Sequence, residues 1–256
     1  MFSKSFEVLS ILQKYVFLFL DMTLFNSKTH WNLSSTILIT FLIFLLFGVS
    51  QSVVLIICGL FQEMTHDKQL AYINLGIISS ISSIVGMILI YAFIKIKRQK
   101  IKVYLNVYMP KIQILLSFII LLFFFMFGME YISDIYPDIF YSDFVIDSYR
   151  QANSLPLFYL GIVFLGPIFE EFLFRGFLFK GLEKSNIGGH GAVVISAVFF
   201  SLVHIQYGIY ILLFMMFPMA LLLGYARLKS GSILLPILMH MINNLATCLI
   251  THFEVY

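Results

Sequence analysis

Charged side chains are scarce in this sequence, since Asp, Glu, Lys and Arg make up only 11% of its residues, against about a quarter in an ordinary soluble domain. Hydrophobic residues make up 61%. This balance excludes a water-soluble globular protein and favours an integral membrane protein. The basic residues lie in short loops rather than on one face. The net charge of +3 therefore does not predict nucleic-acid binding.

Cysteine is also scarce. Cys58 and Cys248 both lie inside apolar runs, which does not support a disulfide framework and indicates small buried side chains. The first residues contain scattered charges and no small-x-small cleavage signal, so they do not resemble a secretory signal peptide. We interpret residues 1–32 as a cytoplasmic, partly amphipathic segment that precedes the first span.

What the sequence does contain is a series of apolar segments of membrane-spanning length. They predict an all-α, polytopic bundle of transmembrane helices with about seven spans. The segments cover residues 35–60, 70–95, 111–132, 155–181, 189–207, 209–227 and 231–251.

The gaps between these segments alternate in charge. Residues 94–111 contain six basic residues and no acid, whereas residues 130–154 contain five acids and a single basic residue, Arg150. Because basic loops stay inside, the first gap is predicted to be cytoplasmic and the second external. With seven spans, this alternation predicts a cytoplasmic N-terminus.

The ionisable residues predict a functional division near residue 150. The first three spans contain almost none, whereas the last four contain Glu170, Glu171, Arg175, His204 and His240. We therefore predict a variable N-terminal membrane region over residues 1–150 and a catalytic core over residues 151–256.

Three charged residues lie close together in the apolar run GPIFEEFLFRGFLF. Insertion of each charged side chain into a bilayer costs a free energy of about 2.5 to 3.5 kcal/mol on insertion scales, so such groups are functional by default. Positions four apart share a helix face, which predicts that Glu171 pairs with Arg175. Glu170 points about 100° away and remains as the spare carboxylate.

Two further spans place polar groups at similar depth. His204 follows Phe200 by one turn, and His240 precedes Asn244 by one turn. At about 1.5 Å per residue, Glu170 and these three polar residues lie roughly 14 to 22 Å from the predicted cytoplasmic ends. They are therefore predicted to meet in one layer.

Prolines precede the polar residues on two of these spans. Pro167 lies three residues before Glu170, and Pro236 lies four residues before His240. Each is predicted to remove a backbone hydrogen bond and kink its helix there.

EEFLFR (Glu170, Glu171, Arg175), FSLVH (Phe200, His204) and HMINN (His240, Asn244) resemble the EExxxR, FxxxH and HxxxN motifs of one family. It is the CAAX-protease and bacteriocin-processing family, CPBP, also called the Abi family. All three motifs occur in order, and GSILLP leads into the last as in many members. The resemblance covers about residues 155–250.

The resemblance implies an intramembrane endopeptidase. Glu170 and His204 would activate a water for attack on a peptide carbonyl, and His240 with Asn244 would stabilise the oxyanion. Glu171, Arg175 and Phe200 would support the site. Members are often called metalloproteases, so zinc held by Glu170, His204 and His240 stays open. The spacing is not that of HExxH, and we favour catalysis without a metal.

Two other functions stay open at this point. One is a non-catalytic bacteriocin self-immunity or scaffold protein, which would have no need of Glu170 and His204 together. The other is a small transporter, which would be expected to show an inverted repeat. The expected partners are the lipid bilayer and a membrane peptide or protein substrate, and we expect a multi-pass protein of a bacterial cell membrane.

Overall fold

The computed structural model describes residues 30–65, 75–140, 142–152 and 154–255. Every regular element within these ranges is helical, and none is a strand. The predicted segment over residues 1–32 and the predicted N-terminal location lie almost entirely outside the described residues. The helices are α1 Leu33–Thr65, α2 Leu75–Ile96, α3 Ile101–Tyr104, α4 Ile112–Ile135, α5 Pro137–Phe140, α6 Asp143–Arg150, α7 Leu155–Glu183, α8 Gly188–Leu202, α9 Ile209–Ser230 and α10 Leu234–Val255.

Six of these helices, α1, α2, α4, α7, α9 and α10, are long and apolar enough to cross a membrane. The prediction of a polytopic, all-α membrane protein is confirmed. In α1 and α4 only 6% of the most apolar window is buried, against 50% in α7. Helices α1 and α4 therefore present most of their surface to lipid, and α7 is the central helix of the bundle.

The predicted span over residues 189–207 is not among these six, because its helix is shorter than predicted. Helix α8 has 15 residues, which at about 1.5 Å each reach about 22 Å, short of the roughly 30 Å hydrocarbon layer. His204 leaves helical geometry at φ −108°, and Gly208 adopts φ +98° before α9 begins. Hydropathy did not reveal this end because apolar residues continue on both sides of His204.

Small residues bring α2 against α7. A side chain added at Gly76 would meet the backbone of Leu157, and one added at Gly161 would meet the backbone of Gly76. Close backbone approach at small residues is the usual way in which membrane helices associate. Near the middle of the contact, Gly86 makes room for the ring of Phe169, the residue before Glu170. The contact therefore holds α7 at the level of its carboxylates.

The basic and acidic loops lie at opposite ends of the bundle. At one end, Lys180 Nζ donates to the Tyr104 carbonyl at 2.7 Å, and Asn106 Nδ2 donates to the Gly231 carbonyl at 3.1 Å. At the other end, Phe144 in the acidic segment packs edge-on against Tyr207, with ring centroids 5.3 Å apart. The predicted cytoplasmic and external loops are thus separated along the bundle as the charge pattern requires.

Candidate active site

Local changes of helical register position the carboxylates of α7. Glu170 and Glu171 lie in a short α-helical stretch between two π-helical segments, Leu160–Leu165 and Phe172–Leu178. Pro167 follows the first segment. Because proline has no N–H, it leaves a carbonyl one turn earlier without its helical donor. The predicted disturbance at Pro167 is therefore a change of register, of a kind often found at functional sites.

Glu171 lies at the centre of a fully buried ion cluster. Arg175 Nη1 donates to Glu171 Oε1 at 3.0 Å, and both side chains are 0% exposed. The predicted pairing is thus present. The same oxygen lies 2.9 Å from His240 Nδ1. Since a carboxylate oxygen accepts, the imidazole donates through Nδ1 and directs Nε2 towards Glu170.

Glu170 faces two histidines from two other segments of the chain. Its Oε2 lies 3.9 Å from His204 Nε2 and 3.8 Å from His240 Nε2. These separations exceed a direct hydrogen bond and suit a bridging water. The Glu170 side chain is 25% exposed, whereas that of Glu171 is 0% exposed. The spare carboxylate is thus the accessible one.

The tautomer of His204 follows from its other contact. Its Nδ1 lies 2.7 Å from the Phe200 carbonyl, and a carbonyl only accepts, so Nδ1 carries the hydrogen. In the neutral ring, Nε2 is then an acceptor that faces the carboxylate of Glu170. Two acceptors at this separation are suited to a water that donates one hydrogen to each.

Asn244 is held by a backbone carbonyl of α7. Its Nδ2 donates to the Ile162 carbonyl at 2.9 Å, and Asn243 Nδ2 donates to its Oδ1 at 3.4 Å. In the π-helical register, the donor for Ile162 would be the amide of residue 167, which is a proline. The amide of Asn244 replaces it. Because Nδ2 carries two hydrogens, one remains for another acceptor.

Phe200 lies at the centre of the cluster and is 2% exposed. Its ring centroid lies 4.6 Å from that of His204 and 5.6 Å from that of His240, and the Arg175 guanidinium carbon lies 4.3 Å above it. An aromatic ring in this position provides an apolar wall, a cation–π contact and steric control of both imidazoles.

The structure thus brings Glu170, His204, His240 and Phe200 into one cluster, with Asn244 one turn beyond His240. Two details differ from the prediction. His204 lies past the end of α8 rather than on a helix face with Phe200. Pro236 lies in the first turn of α10, where no helical donor is required, so the predicted kink at this residue is wrong.

Sequence reasoning missed two residues near the cluster. Arg227 is 2% exposed and donates through Nε to the Arg175 carbonyl at 3.1 Å and through Nη1 to the Gly231 carbonyl at 2.6 Å. In the sequence it contributes only a positive charge next to a loop, and no local motif marks it.

The second missed residue, Tyr207, stacks on His204 with ring centroids 5.9 Å apart. Burial and the negative charge of Glu170 raise the pKa of Tyr207 to about 12, so its hydroxyl stays protonated at neutral pH. Tyr207 follows His204 by three residues, and this spacing was the only sequence signal that could have predicted the contact between the two side chains.

The donors around Glu170 bear on whether the site holds a metal ion. Glu170, His204 and His240 offer one oxygen and two nitrogens, a chemistry that zinc accepts. Among the described residues, however, no group of three or more His, Cys, Asp or Glu side chains is arranged to hold a metal ion. The separations of 3.8 and 3.9 Å between Glu170 Oε2 and the two Nε2 atoms are longer than the roughly 3.4 Å between two ligands that lie about 2.1 Å from a tetrahedral zinc.

Comparison with known proteins yields one family. Residues 152–246 match the family described as "Type II CAAX prenyl endopeptidase Rce1-like". Nothing among curated proteins or solved structures matches the chain. The matched region includes α7, α8, α9 and the part of α10 that carries His240 and Asn244. Residues 152–246 are therefore similar to this family of CAAX endopeptidases, and they lie within a multi-pass integral membrane protein.

Proposed function

We propose that the chain is an intramembrane endopeptidase that hydrolyses a peptide bond of a membrane-associated peptide or protein. The observation that carries the proposal is the position of Glu170 Oε2, 3.9 Å from His204 Nε2 and 3.8 Å from His240 Nε2. A carboxylate and an imidazole at this separation activate one water between them, and general-base assistance contributes about 10² to 10⁴ in rate.

In this reaction the water oxygen attacks the peptide carbonyl carbon and loses a proton to Glu170, while the Nε2 of His204 accepts a hydrogen bond from the same water. The carbonyl oxygen becomes an oxyanion. The carbon–nitrogen bond then breaks, and Glu170 returns its proton to the leaving nitrogen. The products are a carboxylic acid and an amine.

His240 and the free amide hydrogen of Asn244 are the proposed oxyanion donors. To donate through Nε2 as well as Nδ1, His240 must be protonated. The cluster accommodates this charge, because two carboxylates, Glu170 and Glu171, then balance Arg175 and the imidazolium. A preorganised donor of this kind contributes about 3 to 4 kcal/mol to transition-state stabilisation.

The test uses the purified full chain in nanodiscs with internally quenched apolar peptides. We expect Glu170→Gln and His204→Ala to abolish cleavage while leaving the unfolding temperature unchanged. Glu183→Gln, at the end of the same helix, and His190→Ala, an exposed histidine on α8, are matched controls that should retain activity. Cleavage by the Glu170→Gln variant would refute the assignment.

Catalysis without a metal is part of the proposal. Elemental analysis of the active protein, followed by chelation and dialysis, tests it against zinc held by Glu170, His204 and His240. We expect full activity in metal-free protein. Stoichiometric zinc, with activity lost on its removal and restored on its return, would refute this part.

A further inference from the structure

A large cavity adjoins the site on the side of the acidic loop. Its volume is about 740 Å³, within the roughly 300 to 1,000 Å³ of sites that bind small ligands or short segments. It lies between α4, α6, α7, α9 and α10, and most of its lining is apolar. Phe123, Met126, Met215, Met219, Cys248 and Ile250 are among the lining residues. Methionines adapt to side chains of different shape, which suits a slot for varied sequences.

The inner end of the cavity lies beside the proposed catalytic cluster and is lined by residues that contact it. Asn244 and Ile162, which are joined by the side-chain-to-carbonyl hydrogen bond, both line it. Tyr207 lines it too and stacks on His204. A chain that fills the cavity therefore contacts the amide of Asn244 and the ring of Tyr207, which stacks on His204.

The outer end of the cavity is acidic. Glu130 and Asp134 line it, and Asp134 is exposed. No lysine, arginine or histidine lines the cavity within the described part of the chain. Low-dielectric walls with charges of one sign raise the local concentration of the opposite charge. The lining is thus complementary to an apolar segment with a cationic flank.

We propose that this cavity binds the apolar segment of a membrane peptide, with a basic residue of the peptide beside Glu130 and Asp134 at the acidic end of the bundle. The inference rests on the proposed function, because it gives the endopeptidase its substrate class and its direction of entry. The substrate then enters from the end opposite the basic loops, and its scissile bond lies at the inner end of the cavity.

The experiment measures binding apart from cleavage. The full-length Glu170→Gln protein in nanodiscs is titrated with a fluorescent leucine–alanine peptide that ends in lysine, and with a twin that ends in glutamate. Fluorescence anisotropy gives both affinities. One attractive charge pair near solvent contributes about 1 kcal/mol, and the glutamate end is repelled as well, so the lysine-ended peptide should bind at least about fivefold more tightly than its twin.

Two variants in the Glu170→Gln background locate the binding. Asp134→Lys should abolish the preference, because Glu130 and the new lysine then cancel, whereas Asp138→Lys, at an exposed acid of the same end that does not line the cavity, should not. Ala246→Phe narrows the cavity and should abolish binding, whereas Leu245→Phe, on the exposed side of α10, should not.

Several outcomes would overturn the inference. Equal binding of the two peptides that is lost in Ala246→Phe would indicate an apolar slot without charge selectivity, and an equal effect of Asp138→Lys would indicate surface attraction. Cleavage by the wild-type chain is measured in parallel. Cleavage without lysine preference overturns the inference and leaves the proposed hydrolysis standing. Selective binding without cleavage supports the cavity and refutes hydrolysis.

Discussion

Removal of the arginine from the buried ion cluster should strongly destabilise the fold. Arg175 and Glu171 are both 0% exposed, with Nη1 3.0 Å from Oε1. The other carboxylate oxygen of Glu171 already has no hydrogen-bond partner among the described residues. In the variant Arg175→Met, the carboxylate would retain only the contact with His240. A buried charge stranded in this way costs about 3 to 5 kcal/mol.

Loss of the guanidinium also removes its hydrogen bond to the Ala220 carbonyl, at about 1 kcal/mol net. The stranded charge therefore accounts for most of the lost stability. At about 2 to 4 °C per kcal/mol, the unfolding temperature of the purified protein should fall by about 6 to 20 °C. The yield from membranes should fall with it. Differential scanning fluorimetry in one detergent measures the change.

A double variant distinguishes the cost of an unpaired buried carboxylate from the cost of lost side-chain packing. In Glu171→Gln with Arg175→Met, no charge remains between the two positions, and the glutamine oxygen still accepts from His240. We expect it to be more stable than Arg175→Met alone, since replacing both partners of a buried pair is often tolerated. Arg150→Met is the exposed control and should change stability by less than about 0.5 kcal/mol. Wild-type stability of Arg175→Met, or additive losses in the double variant, would refute the pairing argument.

Three further predictions concern catalysis and topology. The double variant Glu170→Gln/His204→Ala should be no slower than either single variant, because both residues act on the same water; steady-state cleavage rates measure this, and a multiplicative loss would contradict it. Asn244→Ala should lower kcat by about 10² to 10³ with little change in KM, as expected for an oxyanion donor; a rise in KM alone would indicate substrate binding instead. In intact cells, an impermeant thiol reagent should label a cysteine at Ser142 and not one at Lys100, an exposed residue of the basic gap, and the reverse pattern would invert the proposed topology.

The sequence alone was sufficient for the class of fold and for the identities in the cluster. Membrane helices satisfy their own backbone, so long apolar runs predict them with little ambiguity. The pairing of Glu171 with Arg175 followed from helical spacing, and the charges of the loops predicted the two ends of the bundle. Ion pairs four residues apart are local in the chain, which is why the sequence sufficed there.

Other features depend on how the helices pack. The end of α8 before His204 results from a turn that Gly208 permits at φ +98°, and average hydropathy is insensitive to such a turn. The sharing of Glu171 between Arg175 and His240 joins residues 69 positions apart in sequence, so no local spacing could predict it. The same is true of Arg227, which donates to the carbonyl of Arg175 across 52 positions.

The sequence therefore determined which side chains form the cluster, because apolar context makes each polar residue conspicuous. Only the tertiary structure decided how those side chains divide their contacts. Glu170 and Glu171 are adjacent in sequence and both lie near His240. Their other neighbours differ, because Glu170 also faces His204 and Glu171 also binds Arg175. One carboxylate is closed off by an arginine and the other remains 25% exposed. That difference in exposure arises from the packing of α7 against α9 and α10. It cannot be derived from the two glutamates alone, because they are chemically identical and adjacent in sequence.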